Sequence, residues 1–308
     1  MQRAYIGKLM ELAEKDSNII QILADSGTNL DETFKRNFPE QILNFGIAEQ
    51  NTVGVAAGMA MVGYIPFVFL QGAFITYRAM EFVRNDICFH NVNVKLVGQG
   101  SGLSLSGLGP SHHTTEELSI LRALPNLNIF SPATPVQTRE LTEHIYYIKE
   151  PCYLRLGMNN ETEFFDDNYK LNGLGYDILR DGKDVCIVST GSIIEETMHA
   201  AELLSDKGIS TKIISIYQIK PFKEDEFIDI IKGIEYVFVV EEHQIYGGLA
   251  SCIIECLSKR CKMRKVIPIG LYDTFAVGFS NYQKKVRQEN LLDSKSIGAR
   301  ILKEIENE

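Results

Sequence analysis

Short apolar runs of strand length alternate with longer stretches of helical spacing along almost the whole chain. In the first half the runs fall at 18–23, 41–45, 66–70, 93–98, 127–131 and 152–156; helices are expected at 48–62, 73–90, 115–123 and 135–148, after an amphipathic opening helix within 1–18. The rhythm resumes with strands at 185–190, 211–216, 235–241 and 265–270 and helices at 192–206, 223–232, 247–260 and 295–306. Strands that alternate with helices imply a parallel sheet covered on both faces. Between the halves, 158–172 is polar, acidic and without period, and reads as a linker. The expected fold class is therefore α/β, with two domains at 1–157 and 173–308, each a mainly parallel sheet flanked by helices.

One stretch organises the rest. Gln41 to Gly63 runs from a strand through Gly46 into a helix whose first turn holds Glu49, followed by the small residues Gly54, Ala56, Ala57, Gly58 and Ala60. Such residues let a neighbouring backbone come close, as at a domain or subunit interface. A carboxylate in a helix's first turn gains roughly 0.3–1 kcal/mol from the unpaired amides and the helix dipole, and taken alone is more often structural than catalytic. A catalytic Glu49 would have to be buried and to face a ligand nitrogen.

Composition narrows the classes. Hydrophobic residues make up 45% and charged residues 23% of 308 positions, which is ordinary for a globular protein. A net charge of −9 without Lys/Arg blocks argues against nucleic acid and membrane surfaces as partners, and no stretch is long enough to span a bilayer. The opening helix lacks the apolar core of a signal peptide. Cys88, Cys152, Cys186, Cys252, Cys256 and Cys261 form no CxxC pair and read as reduced thiols of a cytoplasmic protein.

Three loops could carry chemistry. Ala24 to Asn29, including Asp25 and Thr28, follows a strand's carboxyl end, where open α/β sheets bind ligands, although a plain Asx-capped turn explains it as well. Gly98 to His113 is long and rich in Gly and Ser, matches neither GxGxxG nor a P-loop, and ends in His112-His113. These histidines could serve as acid/base groups or as a solvated cap; the ligand spacing of a metal site is missing, so no metal ligands are assigned. Glu241 to Gly248 leads from a strand into a helix, and His243 there suits a rim or interface as well as catalysis.

In this order FGIAEQNTVGVAAGMA, the aromatic segment Ala73 to Tyr77, GPSHHTTEE with LRALPN after it, and VVEEHQIYGGLAS resemble the C-terminal half of transketolase. The resemblance implies a pyrimidine-binding domain followed by the transketolase C-terminal domain. The family's diphosphate and magnesium motif, GDG with a downstream Asn, lies in an N-terminal domain that this sequence lacks. One subunit of a split transketolase is thus implied, using thiamine diphosphate and Mg²⁺ held mainly by an N-terminal partner subunit, in a heterotetramer acting on sugars or sugar phosphates. Glu49 would face the aminopyrimidine, where sharing a proton with the ring nitrogen favours the imino tautomer that deprotonates the thiazolium carbon. Phe74 and Tyr77 match residues that stack on the pyrimidine, Asp25 matches an acidic residue near the cofactor, and His112 matches the histidine that contacts donor oxygens; His113 has no clear counterpart and is expected at the periphery. Alternatives of the same cofactor class are the beta subunit of a 2-oxo acid dehydrogenase and a 1-deoxyxylulose-5-phosphate synthase; a non-catalytic assembly partner is the alternative from another class.

The chain also departs from the family. Leu108 stands where sugar-phosphate transketolases have an Asp before GPTH, Gly100 where a phosphate-binding His aligns, and Met158 near the place of an Arg. Arg3 and Thr28 match two other phosphate contacts. Arg155, three residues before the expected Arg, is the remaining substrate candidate, although an odd offset turns a strand side chain to the opposite face. These departures imply at least one substrate other than an ordinary pentose or hexose phosphate.

Overall fold

In the computed structural model, residues 1–25, 29–158, 160–260, 262, 264–278 and 280–306 are described. The first sheet holds β1 (Ile19–Leu23), β2 (Ile42–Asn44), β3 (Ile65–Gln71), β4 (Lys95–Gln99), β5 (Asn128–Phe130) and β6 (Cys152–Leu156), all parallel, in the spatial order 5-6-4-3-1-2. β1, β4 and β6 are buried at every position, as strands covered on both faces must be. Period-2 alternation divides their side chains between two cores. Ile20, Ile22, Val68, Leu70 and Leu96 face one side, while Ile19, Leu23, Phe67, Phe69 and Val97 face the other, together with Tyr5, Leu9 and Leu12 of the opening helix α1 (Gln2–Ala13).

The second sheet comprises β7 (Tyr176–Arg180), β8 (Val185–Ser189), β9 (Thr211–Ile216), β11 (Tyr236–Gln244) and β12 (Lys265–Leu271), in the order 12-11-8-9-7 with only β7 antiparallel. Short β10 (Gln218–Lys220) leaves this half of the chain and pairs antiparallel with β5 at the edge of the first sheet. Its Ile219 lies in an apolar cluster that runs unbroken from Val68 and Leu96 to Val188 and Val237, so the two halves share a core.

Several expected elements differ. Residues 73–90 do not form one regular helix: π-helical turns at Phe74–Arg78 and Val83–Phe89 flank a short helix at Met80–Phe82. The helices Asn29–Asn37 and Gln283–Glu289, like β7 and β10, have no counterpart in the apolar pattern, being short or polar. The helix after Glu49, α3 (Glu49–Met61, with Asn29–Asn37 as α2), buries Val53, Ala56 and Ala57. Its small residues meet a close neighbour within the chain only in part: a Cβ added at Gly54 would lie 3.5 Å from the Phe82 ring, whereas Gly58 is exposed with nothing within 4 Å of an added Cβ.

The described cysteines are buried and unpaired, and burial pushes their thiols up, Cys88 to about 11 and Cys186 to about 12. Cys261 lies outside the described residues. Among the described residues no helix is long and apolar enough to cross a membrane.

Arg155, expected among the substrate contacts, lies in the interior. Only 3% exposed, it gives its Nε–H to Glu117, itself fully buried, and its far end reaches the Glu242 carbonyl at 3.5 Å. Glu117 also accepts from Tyr153 Oη at 2.6 Å and Thr114 Oγ1 at 2.9 Å. Burial alone would lower the guanidinium's pKa, but Glu117 and Glu242 outweigh it and raise the value, so the group stays charged. Arg155 thus neutralises a buried carboxylate and links β6 to the second half of the chain. Arg155→Met should therefore strand a buried carboxylate and destabilise the chain by about 3–5 kcal/mol in urea denaturation; a loss under about 1 kcal/mol, ordinary for an exposed pair, would contradict this assignment.

Candidate active site

β1, β2, β3 and β4 are neighbours, so their carboxyl ends open onto one edge of the first sheet. Beyond β2 the chain turns at Gly46, whose φ of +69° favours glycine, and enters α3 at Glu49. Asn44 ties two of these ends together, its Oδ1 accepting the N–H of Gly46 at 3.0 Å and of Asp25 at 3.1 Å. Glu49 is 2% exposed and touches a partner that sequence patterning misses: Arg78 donates to its Oε2 at 3.0 Å. The same guanidinium lies over the Phe74 ring, 5.0 Å from its centre. Phe74 and Arg78, four residues apart, share one face of the π-helical turn, which closes with the Ala79 N–H on the Phe74 carbonyl. A cation four residues after an aromatic is a sequence signal, since a regular helix also sets such a pair on one face.

Beyond β4, the Gly/Ser loop is a fastened structure. Leu103 is buried in the core of the second sheet with Val185, Ile187 and Val240. Gly102 has φ +57° and comes so near Glu242 that a Cβ would lie 2.7 Å from its side chain. The loop returns through Thr114, whose N–H bonds the Gly102 carbonyl and whose hydroxyl accepts the Gly102 N–H. That places His112 edge-on to Phe74, with ring centres 5.2 Å apart and planes at 64°, and its Nδ1 2.9 Å from Ser111 Oγ.

The expected residues thus divide. Glu49, Phe74 and His112 converge, joined by Arg78. Tyr77 sits on the same turn but gives its hydroxyl to Glu116, and burial together with that carboxylate raises its pKa, so it stays a neutral donor. Asp25 is exposed at the end of β1. Arg3 is exposed in the first turn of α1, where its neighbour Gln2 reaches Gln99 at the end of β4. Thr28 lies outside the described residues. His113, expected at the periphery, is instead 2% exposed, and neither ring nitrogen has a hydrogen-bond partner among the described residues. His243 is an interface residue: fully buried, it gives Nδ1–H to the Gln244 carbonyl and accepts the Ser119 N–H, while Glu241 caps the helix Leu249–Lys259 through the N–H groups of Leu249 and Ala250. Among the described residues no three His, Cys, Asp or Glu side chains group to hold a metal ion.

Residues 1–161 match the transketolase pyrimidine binding domain, and residues 175–297 the transketolase C-terminal domain. The chain belongs to the transketolase family. It is 33% identical, over 100% of its own length and 97% of the relative's, to a Methanocaldococcus jannaschii protein provisionally named a transketolase C-terminal section. It is 30% identical to an apulose-4-phosphate transketolase subunit from Actinobacillus succinogenes, covering 95% of this chain and 94% of that one. A solved structure described as a split gene transketolase, inactive beta4 tetramer, superposes with a TM-score of 0.89 at 32% identity over 98% and 97% of the two chains. Single-chain transketolases share the fold at about 20% identity; the Campylobacter jejuni enzyme gives a TM-score of 0.77 at 21%, and this chain spans 45% of it. The transketolase family depends on thiamine diphosphate. The buried Glu49 carboxylate beside an aromatic face fits an aminopyrimidine.

His113 supplies a pH signature. Burial lowers its pKa, with Glu242 and Glu116 opposing in part, so the folded chain resists protonating it. Below the ordinary histidine value of about 6.5 the unfolded chain binds the extra proton, and stability contributed above that pH is lost as pH falls. Denaturation midpoints between pH 8 and 5 should decline on the acid side, and His113→Gln should flatten part of that decline; an unchanged slope in the variant would locate the titration elsewhere.

Proposed function

We propose that this chain is the C-terminal subunit of a split transketolase that moves a two-carbon ketol unit from a ketose donor to an aldose acceptor. The observation that carries this reading is the buried Glu49 carboxylate converging with Phe74 and His112 at the strand ends of a transketolase-family chain. An N-terminal partner subunit supplies the diphosphate and Mg²⁺ ligands, a division supported by the Methanocaldococcus jannaschii relative provisionally named a C-terminal section. Two copies of each chain assemble into a heterotetramer; the open Gly58 face of α3 and the relative described as an inactive beta4 tetramer support contacts between such chains. The domains are 1–157 and 173–308 with 158–172 between them, and the buried free thiols suit a reducing, cytoplasmic setting.

When bound, thiamine diphosphate supplies an acidic thiazolium carbon that serves as the nucleophile toward the donor carbonyl. Glu49 shares a proton with the pyrimidine nitrogen, in a buried place where that proton's position matters. Phe74 offers a stacking face and Tyr77 borders it. His112 holds or moves a proton at substrate hydroxyls, and Asp25 lies by the cofactor. Arg3, exposed on the first turn of α1, is a candidate contact for a substrate phosphate, as is Thr28 from its place in the sequence. Glu49→Gln keeps shape while removing the shared proton, so the assembled complex should form normally while hydrogen–deuterium exchange at the thiazolium carbon slows by about two orders of magnitude or more. Normal exchange in that variant would return Glu49 to a helix-terminus role and remove the main support for catalysis.

The substrates include a modified, unphosphorylated or nucleotide-linked sugar. Leu108, 53% exposed, can accept no hydrogen bond from a sugar hydroxyl, and neither Gly100 nor Met158 can pair with a phosphate. Relatives of similar length named for apulose-4-phosphate and for 6-deoxy-6-sulfo-D-fructose support specialised sugars for such subunits. With xylulose 5-phosphate and ribose 5-phosphate, the reconstituted complex should show a kcat/KM below about 10⁴ M⁻¹s⁻¹; a higher value would make it an ordinary sugar-phosphate enzyme.

A further inference from the structure

Arg78 makes both contacts that a flat nitrogen heterocycle would make in this site. One N–H points at Glu49 Oε2 at 3.0 Å, and the guanidinium carbon lies over the Phe74 ring, 5.0 Å from its centre. A guanidinium is planar, donates along its edge and stacks on aromatic faces, which makes it the side chain closest in character to a protonated aminopyrimidine. Glu49 is 3% exposed at its side chain while Arg78 remains 47% exposed, so the pair joins a fixed carboxylate to an arm that can swing into solvent. The geometry points to Arg78 as the internal occupant of the pyrimidine seat, holding it in the free chain and vacating it when the cofactor is loaded. The inference rests on the transketolase reading of Glu49 and Phe74, and it goes beyond that reading by assigning a role to a residue that the reading leaves unused.

Two physical requirements meet here. A buried carboxylate left unpaired is unfavourable, so the free chain gains by supplying its own cation. The Phe74 face and the Glu49 oxygen cannot serve a guanidinium and a heterocycle at once, so one must leave. Apparent affinity for the cofactor is then reduced by the fraction of chains whose seat is open, and removing the occupant restores it.

The test uses Arg78→Met, which keeps the stem but neither donates nor carries charge, and Arg78→Lys, which can pair with Glu49 but cannot lie flat on Phe74. Thiamine diphosphate with Mg²⁺ is titrated calorimetrically into the chain reconstituted with its diphosphate-binding partner, and the free chain is melted in parallel. Arg78→Met should bind about tenfold more tightly, and the free variant should melt at a lower temperature, because Glu49 has lost its partner. Arg78→Lys should fall between wild type and Arg78→Met in affinity, and it keeps the test open should the methionine variant fold poorly. Affinity that falls or stays level in both variants, with the wild-type complex binding normally, overturns the occupant role and leaves the transketolase reading intact. A wild-type complex that binds no thiamine diphosphate overturns both.

Discussion

The arrangement depends on a carboxylate with no access to water. Glu117 begins the helix that follows the Gly/Ser loop, and its oxygens are taken by Arg155 on β6, Tyr153 on the same strand and Thr114 at the loop's end. A charge so placed is tolerated only when fully paired and hydrogen-bonded, and the groups that pair it come from separate parts of the chain. The result is a clamp: the loop is drawn onto β6, Arg155 reaches on to the Glu242 carbonyl, and Glu242 is itself held by Arg287 and Gln283 in the second half. Leu103 and Gly102 complete the attachment through packing and close approach. His112 is therefore positioned by both halves of the chain together, through bonds that it does not itself make.

The opposite solution operates a short distance along the same sheet edge. Glu49 is as buried as a core residue, yet its cation is a half-exposed Arg78 on a π-helical turn. The interior pair around Glu117 is enclosed on every side and serves rigidity, whereas the pair at Glu49 is enclosed on the carboxylate side only. A site meant to receive a ring must keep a face that can be uncovered, and the half-exposed Arg78 over Phe74 supplies it.

The unbroken core between the sheets gives the second half a mechanical part in the site. His243, which sequence leaves balanced between catalysis and interface, proves to be a bridge from β11 to the backbone of Ser119, and Glu241 beside it caps a helix. The motif around them shapes and fastens the boundary between the halves. The histidine and the two acidic residues in a row have their polar atoms taken up by the Ser119 and Gln244 backbone, by the N-terminus of the helix Leu249–Lys259, and by Arg287 and Gln283.

What the sequence determined by itself is the local grammar: alternating strands and helices, the turn at Gly46 and the placing of Glu49, Phe74 and His112 just beyond strand ends. Period and turn chemistry are properties of neighbouring residues and are legible without a fold. Only the tertiary structure decided which polar groups are spoken for. Arg155 is claimed by a carboxylate 38 residues earlier, His113 lies in the interior, and Arg78 pairs with Glu49, 29 residues before it. β10 crossed between sheets because three residues found an open edge beside β5, a choice that resides in the edge and not in those residues. Pairing of buried charge and completion of sheet edges depend on partners distant in sequence, and no spacing along the chain encodes them.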